Sequence, residues 1–161
     1  MMDDILRILE QDARTPPERI AEMTGRSIED VREAIVTAER DGIILSYRSQ
    51  VNWDALGRGD VHAIIEVRVA PQREVGFDSV ATRIARFPEV RSMHLVSGDY
   101  DLAVQVTGES IYAISNFVAS KLAVLDAVQG TVTHFILKRY KEDGSLFESE
   151  DDSPRRLPVS M

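Results

Sequence analysis

Ser97-Gly98-Asp99-Tyr100-Asp101 sets a hydroxyl, a phenol and two carboxylates around one glycine, a group suited to holding a polar small molecule rather than to breaking bonds. Val90, Met93, Leu95 and Val96 precede it, and Leu102, Val104 and Val106 follow at the two-residue period of a strand. The run therefore reads as the tip of a hairpin, with Gly98 free to take the positive φ of a tight turn and Asp99 tolerant of it. A plain polar turn satisfies the same pattern. Chemistry for catalysis is thin elsewhere. His62, His94 and His134 each fall on a predicted strand without metal-motif spacing, and read as ordinary strand histidines. No glycine-rich phosphate loop or nucleophile elbow occurs, and with no cysteine there is no thiolate metal site and no cysteine nucleophile. The expectation is a protein that is not an enzyme and holds no metal or cofactor.

The 161 residues, 43% hydrophobic and 29% charged, allow one large domain or two small ones in a globular chain. The opening MMDDILRILEQDAR carries acids where a signal peptide needs bases, and no apolar run approaches membrane-spanning length. A cytoplasmic protein with no membrane partner is expected. A net charge of −8 works against nucleic-acid binding, so any such surface has to be argued residue by residue.

The elements that position these residues can be read in order. Ile5, Leu6, Ile8 and Leu9 form one stripe of a first helix, Asp3 to Ala13. Thr15 and Glu18 have capping-box spacing for a second helix containing Ile20, Ala21 and Met23, which Gly25 stops. Ser27 and Asp30 repeat the cap spacing before Ile28, Val31, Ile35 and Ala38, and Asp41-Gly42 ends this third helix. Three short helices with a tight turn before the last are a helix-turn-helix pattern, and the alternation of Ile43 to Val51 predicts a strand where a wing would sit. A generic three-helix bundle that contacts another protein fits the same helices. The domain boundaries follow as residues 1–51 for the helical unit, 52–60 for a linker with two glycines, 61–141 for a second domain and 142–161 for an acidic tail that its composition marks as a mobile solvated extension.

Within the second domain the predicted order is strand Val61–Ala70, helix Phe77–Phe87, strand Val90–Ser97, strand Asp101–Thr107, helix Ser110–Leu125 and strand Thr131–Tyr140. This βαββαβ order gives an α+β, ferredoxin-like domain with a four-stranded antiparallel sheet and both helices on one face. On the first strand Val61, Ala63, Ile65, Val67 and Val69 alternate with His62, Ile64, Glu66 and Arg68, so the second sheet face is mixed and a homodimer is the simplest way to bury it.

The order of parts resembles the Lrp/AsnC (feast/famine) transcriptional regulators. The residues that carry the resemblance are Gly25-Arg26-Ser27, Val31, Glu39-Arg40-Asp41-Gly42-Ile43-Ile44, Tyr47, Leu56-Gly57, Pro88-Glu89-Val90 and Ser97-Gly98-Asp99-Tyr100-Asp101, spanning nearly the whole chain. The resemblance implies a winged helix-turn-helix on double-stranded DNA, joined to a domain that binds an amino acid or similar metabolite between dimers assembled into octamers. It puts the effector near Ser97 to Asp101. There the backbone N–H groups around Gly98 and Asp99 can meet a carboxylate, the Asp101 carboxylate an ammonium, and Thr131 and Thr133 can line the same cleft.

Two departures bear on DNA. Ala34 stands where the family usually carries a basic residue, and Thr37 holds a nearby position that is often basic. From Ser27 to Arg40 the acids Glu29, Asp30, Glu33 and Glu39 outnumber Arg32 and Arg40. The residues expected to meet DNA are Arg26, Ser27, Arg32, Thr37, Arg40 and Arg48, with weak contact per subunit that several subunits reinforce. Two alternatives remain: a metabolite-binding protein of this fold without DNA binding, and, by resemblance to siroheme decarboxylase subunits, an enzyme using His94 and His134.

Overall fold

The computed structural model describes residues 2–70 and 77–147. The chain forms two compact units, Met1–Val51 and Asn52–Met161.

In the first unit, helices α1 (Met2–Gln11), α2 (Pro17–Thr24) and α3 (Ile28–Arg40) close over Ile5, Leu9, Ile20, Ala21 and Val31. The three- and four-residue spacing of these apolar side chains turns one stripe of each helix inward. Gly25, at φ +68°, lets the chain reverse between α2 and α3. The start of α2 differs from the expected capping box. Thr15 bonds backward, its hydroxyl and N–H both donating to the Asp12 carbonyl, and extended Pro16 takes the cap position without a side-chain hydrogen bond. A second difference follows α3, where no strand forms over Ile43–Val51 among the described residues. Alternation alone cannot make a strand; a partner must supply the ladder, and none of the described strands pairs here. The segment is instead held by N–H bonds from Ile43 and Ile44 to the Ala38 carbonyl and by the Tyr47 hydroxyl, which donates to Glu39 at 2.9 Å.

The second unit opens with a single 3-10 turn at Asp54–Leu56, inside the expected linker. It continues as β1 (Val61–Val69), α4 (Asp78–Ala85), β2 (Val90–Leu95), β3 (Leu102–Gly108), α5 (Ile111–Phe117, prolonged by a π-helical turn Val118–Leu122) and β4 (Val128–Ile136). The sheet order is β2-β3-β1-β4, all neighbours antiparallel, which is the ferredoxin-like βαββαβ arrangement. Ala63, Ile65, Val67 and Val69 pack with Leu102, Val104 and Val106 under Val80 and Ile84 of α4 and Ile114, Phe117, Leu122 and Leu125 beyond them. Fully burying one such side chain is worth about 1.5–3 kcal/mol, so this face fixes the register of the sheet.

Residues 142–146, expected in a solvated tail, are folded. Lys141–Glu142 (β5) pairs with Ser145–Leu146 (β6) across Asp143 and Gly144, both at positive φ. Arg139 secures them: it reaches Asp54 at 2.7 Å and Glu142 at 3.3 Å and lies 4.4 Å from the Phe147 ring centroid. The expected mobile tail from residue 148 onward lies outside the described residues.

Candidate nucleic-acid interface and effector site

Helix α3 starts where Ser27 accepts the Asp30 N–H at 3.1 Å, and Glu29 and Asp30 complement the positive end of the helix dipole. Val31 and Ala38 point into the core, and Ala34 and Ile35 pack half-buried against it. Ala34 therefore packs against the core of this unit and does not lie on the outer face. That face carries Glu29, Glu33, Val36 and Arg40, with Arg32 beside them, all exposed.

Most of the arginines expected on DNA are held by a carboxylate. Arg32 donates to Glu18 of α2 at 2.7 Å; the Glu18 carboxyl is held below its usual range by its own backbone N–H first and by Arg32 second. Arg40 reaches Asp41 at 2.9 Å, and Arg26 lies 3.9 Å from Asp4 with its Nε buried and without a hydrogen-bond partner among the described residues. The Arg32–Glu18 and Arg40–Asp41 pairs are exposed, and such pairs are weak enough for a competing anion to displace one partner, whereas Arg26 is half-buried. Ser27 is committed to its cap, and Thr37 is half-buried with its carbonyl accepting the Asp41 N–H. Arg48 stands apart, exposed on a cleft of about 920 Å³ between α1 and residues 43–49. The six residues thus do not form one patch; Arg26 and Arg40 sit at opposite ends of α3, roughly 20 Å apart along the axis.

In the second unit the chain between β2 and β3 closes with the Val96 N–H donating to the Asp101 carbonyl at 2.9 Å. Ser97, Gly98 and Asp99 are exposed, Tyr100 and Asp101 half-buried, and Gly98 takes φ +155°. Asp101 has a part that its sequence position did not reveal. Its N–H donates to the Val67 carbonyl at 3.1 Å and its Oδ2 accepts the Val69 N–H at 2.7 Å. The regular β1–β3 register ends at Val67 and Leu102, and the carboxylate supplies the next rung just where β1 slips register against β4, between Arg68 and Val69. Thr131 faces Val67 and Thr133 faces Ile65 across the other edge of β1. Asp101 and Thr131 therefore flank the same end of β1, roughly 10 Å apart by strand spacing, and Thr133 lies further along. Asp101 and Thr131 thus share one end of the sheet, and a cleft of about 320 Å³ in this unit lies elsewhere, around His62, Asp60 and Lys138.

All three histidines lie on the sheet face opposite the helices. His134 meets Glu66 at 3.0 Å, while His62 is held below its usual pKa by burial first and the nearby Arg139 charge second. His94 and His134 occupy the two edge strands, with β3 and β1 between them. Among the described residues no group of three His, Cys, Asp or Glu is placed to hold a metal ion. No described helix is long and apolar enough to cross a membrane.

The first unit has the helix-turn-helix arrangement and the second the ferredoxin-like βαββαβ arrangement. Residues 62–146 match the family model of the Lrp/AsnC ligand-binding domain. Over 158 residues the chain is 45% identical to an uncharacterized HTH-type transcriptional regulator, YugG, of Bacillus subtilis, covering 98% of this chain and 95% of that one. It is 30% identical over 138 residues to the leucine-responsive regulatory protein of Rhizobium meliloti, covering 86% and 88%. A transcriptional regulator of Neisseria meningitidis, solved in complex with L-Met, shares the fold with a TM-score of 0.70 at 23% identity, over 88% of this chain and 90% of that one. The chain belongs to the Lrp/AsnC family of HTH-type transcriptional regulators.

Proposed function

We propose that the protein acts in the cytoplasm as a transcriptional regulator that lays α3 in the major groove of duplex DNA and whose affinity changes when an amino acid or similar metabolite binds near Ser97 to Asp101. The observation that carries this reading is the pairing, in one chain, of a capped third helix with an exposed outer face and a domain matched by the Lrp/AsnC ligand-binding model. The L-Met complex of the Neisseria regulator supports an amino acid as the ligand class. Backbone N–H groups of the Gly98 loop are suited to the ligand carboxylate. Thr131 offers a hydroxyl across the end of β1 and Thr133 another further along the strand, and a second subunit would complete the site. Assembly as a homodimer through the mixed face of the sheet, and of dimers into octamers, fits the open, unenclosed form of this site.

Fluorescence anisotropy on duplex DNA as salt is lowered tests the first half. Binding should strengthen steeply, and Arg32→Ala or Arg40→Ala should each flatten the salt slope by about one unit. A thermal-shift screen with the twenty amino acids tests the second, since a ligand that binds only the folded state raises its melting temperature. The carboxylates paired with Arg26, Arg32 and Arg40 favour one competing reading, a metabolite-binding protein that does not hold DNA. The absence of duplex binding at low salt, with a thermal shift retained, would establish it.

A further inference from the structure

The outer stripe of α3 runs Glu29, Glu33, Val36, Arg40, at four-, three- and four-residue steps that keep one helix face. Glu29 and Glu33 are exposed, and among the described residues no hydrogen bond or ion pair engages either side chain. They occupy the N-terminal half of the helix, the half that meets base edges when the second helix of a helix-turn-helix pair enters the major groove. A carboxylate there can only accept hydrogen bonds. Guanine offers it two acceptors and thymine an acceptor and a methyl. Adenine offers its N6 amino group beside its own N7 acceptor, and only cytosine presents a donor, N4–H2, with no major-groove acceptor on the same base.

We infer that Glu29 and Glu33 are specificity-determining residues that select cytosine in the operator. The inference rests on the DNA-binding reading above and names what that surface recognises. Four residues of helix rise about 6 Å, close to two base-pair steps, so the two cytosines should lie about two base pairs apart. The same two carboxylates explain how an acidic recognition helix remains useful: repulsion from the phosphates lowers binding to every sequence, and only sites with donors at the right positions recover it. Discrimination is gained by penalising the wrong sites.

Selection from a randomised duplex pool at low salt, with the full chain and its E29Q and E33Q variants, tests this. The exposed, isosteric changes leave the fold intact, which helix content by circular dichroism verifies. Wild-type selected sites should carry cytosine at two positions. Glu33→Gln should lose preference at one of them by on the order of ten-fold, with a shift toward adenine, because glutamine pairs adenine N6 and N7. It should also bind unrelated sequences more tightly than wild type. Enriched sites with the same base preferences in all three proteins would overturn the cytosine assignment and leave the DNA-binding reading standing. A pool from which none of the three proteins enriches any duplex would overturn both.

Discussion

Asp101 shows how one side chain can hold a backbone together and still lie beside a ligand loop. Its Oδ2 accepts the Val69 N–H at 2.7 Å, at the end of β1 where the β3 ladder has stopped. Asp101→Ala should leave that part-buried N–H without its acceptor and cost about 1–3 kcal/mol of stability, measurable by urea denaturation. Asp101→Asn keeps a carbonyl oxygen for Val69 and removes only the charge. It should stay within about 1 kcal/mol of wild type. If the aspartate also meets an effector ammonium, the asparagine protein loses the thermal shift while the fold persists; an unchanged shift would confine Asp101 to its structural part. Gly98 is a different case. A Cβ there meets open space, so Gly98→Val should act through its φ of +155° alone, distorting the loop without disturbing the core.

At the scale of elements, Glu89 at the entry to β2 bonds Lys121 of the π-helical turn at 2.5 Å, and the lysine lies 5.5 Å and 5.8 Å from the Phe87 and Phe117 ring centroids. Partial burial works against the Glu89 charge, but the Lys121 hydrogen bond, its own backbone N–H and the lysine charge together hold its pKa below the usual carboxylate value. The folded state then binds fewer protons than the unfolded chain as the pH drops. Stability from this pair is complete above the unfolded carboxylate pKa of about 4.3 and is lost as pH falls through the lowered folded value. Glu89→Gln should flatten the acid limb of a stability-against-pH curve measured by chemical denaturation; an unaltered limb would show the pair to be idle. This clamp joins residues 32 positions apart, which no local pattern can reveal. By contrast, the βαββαβ order and the cap at Ser27 were legible, because alternation, capping and glycine punctuation are local signals. The strand expected over Ile43–Val51 was misread for the opposite reason. Its alternation is real, but a strand depends on a partner, and 43–51 has none among the described strands. The loop Ser97–Asp101 was legible as a hairpin tip, yet the use of Asp101 as a rung of β1 was hidden, since it depends on a residue 32 positions earlier.

For the whole molecule the open question is what meets the sheet face that the helices leave bare. Ile64 and Val132 are 40% and 47% exposed there, among Glu66, His134, Gln105 and His94. With an excess of eight acidic charges, copies of this chain repel one another at long range, so association has to come from short-range apolar contact. Ile64 and Val132 sit on neighbouring strands in adjacent rows, Ile64 opposite His134 and Val132 opposite Glu66, and with Ala103 and half-buried Ile136 form the apolar part of a mixed face. A twofold pairing of this face with itself would bury both residues in each subunit. The expected scattering mass at micromolar concentration is at least twice the 18.0 kDa of the chain, and Ile64→Glu combined with Val132→Glu should bring it down to the single-chain value. Raising salt on the wild type should strengthen the assembly slightly, because it screens repulsion and leaves apolar contact in place. A wild-type mass of one chain across that range would remove the sheet face as an interface and leave the ligand loop to work within a single subunit.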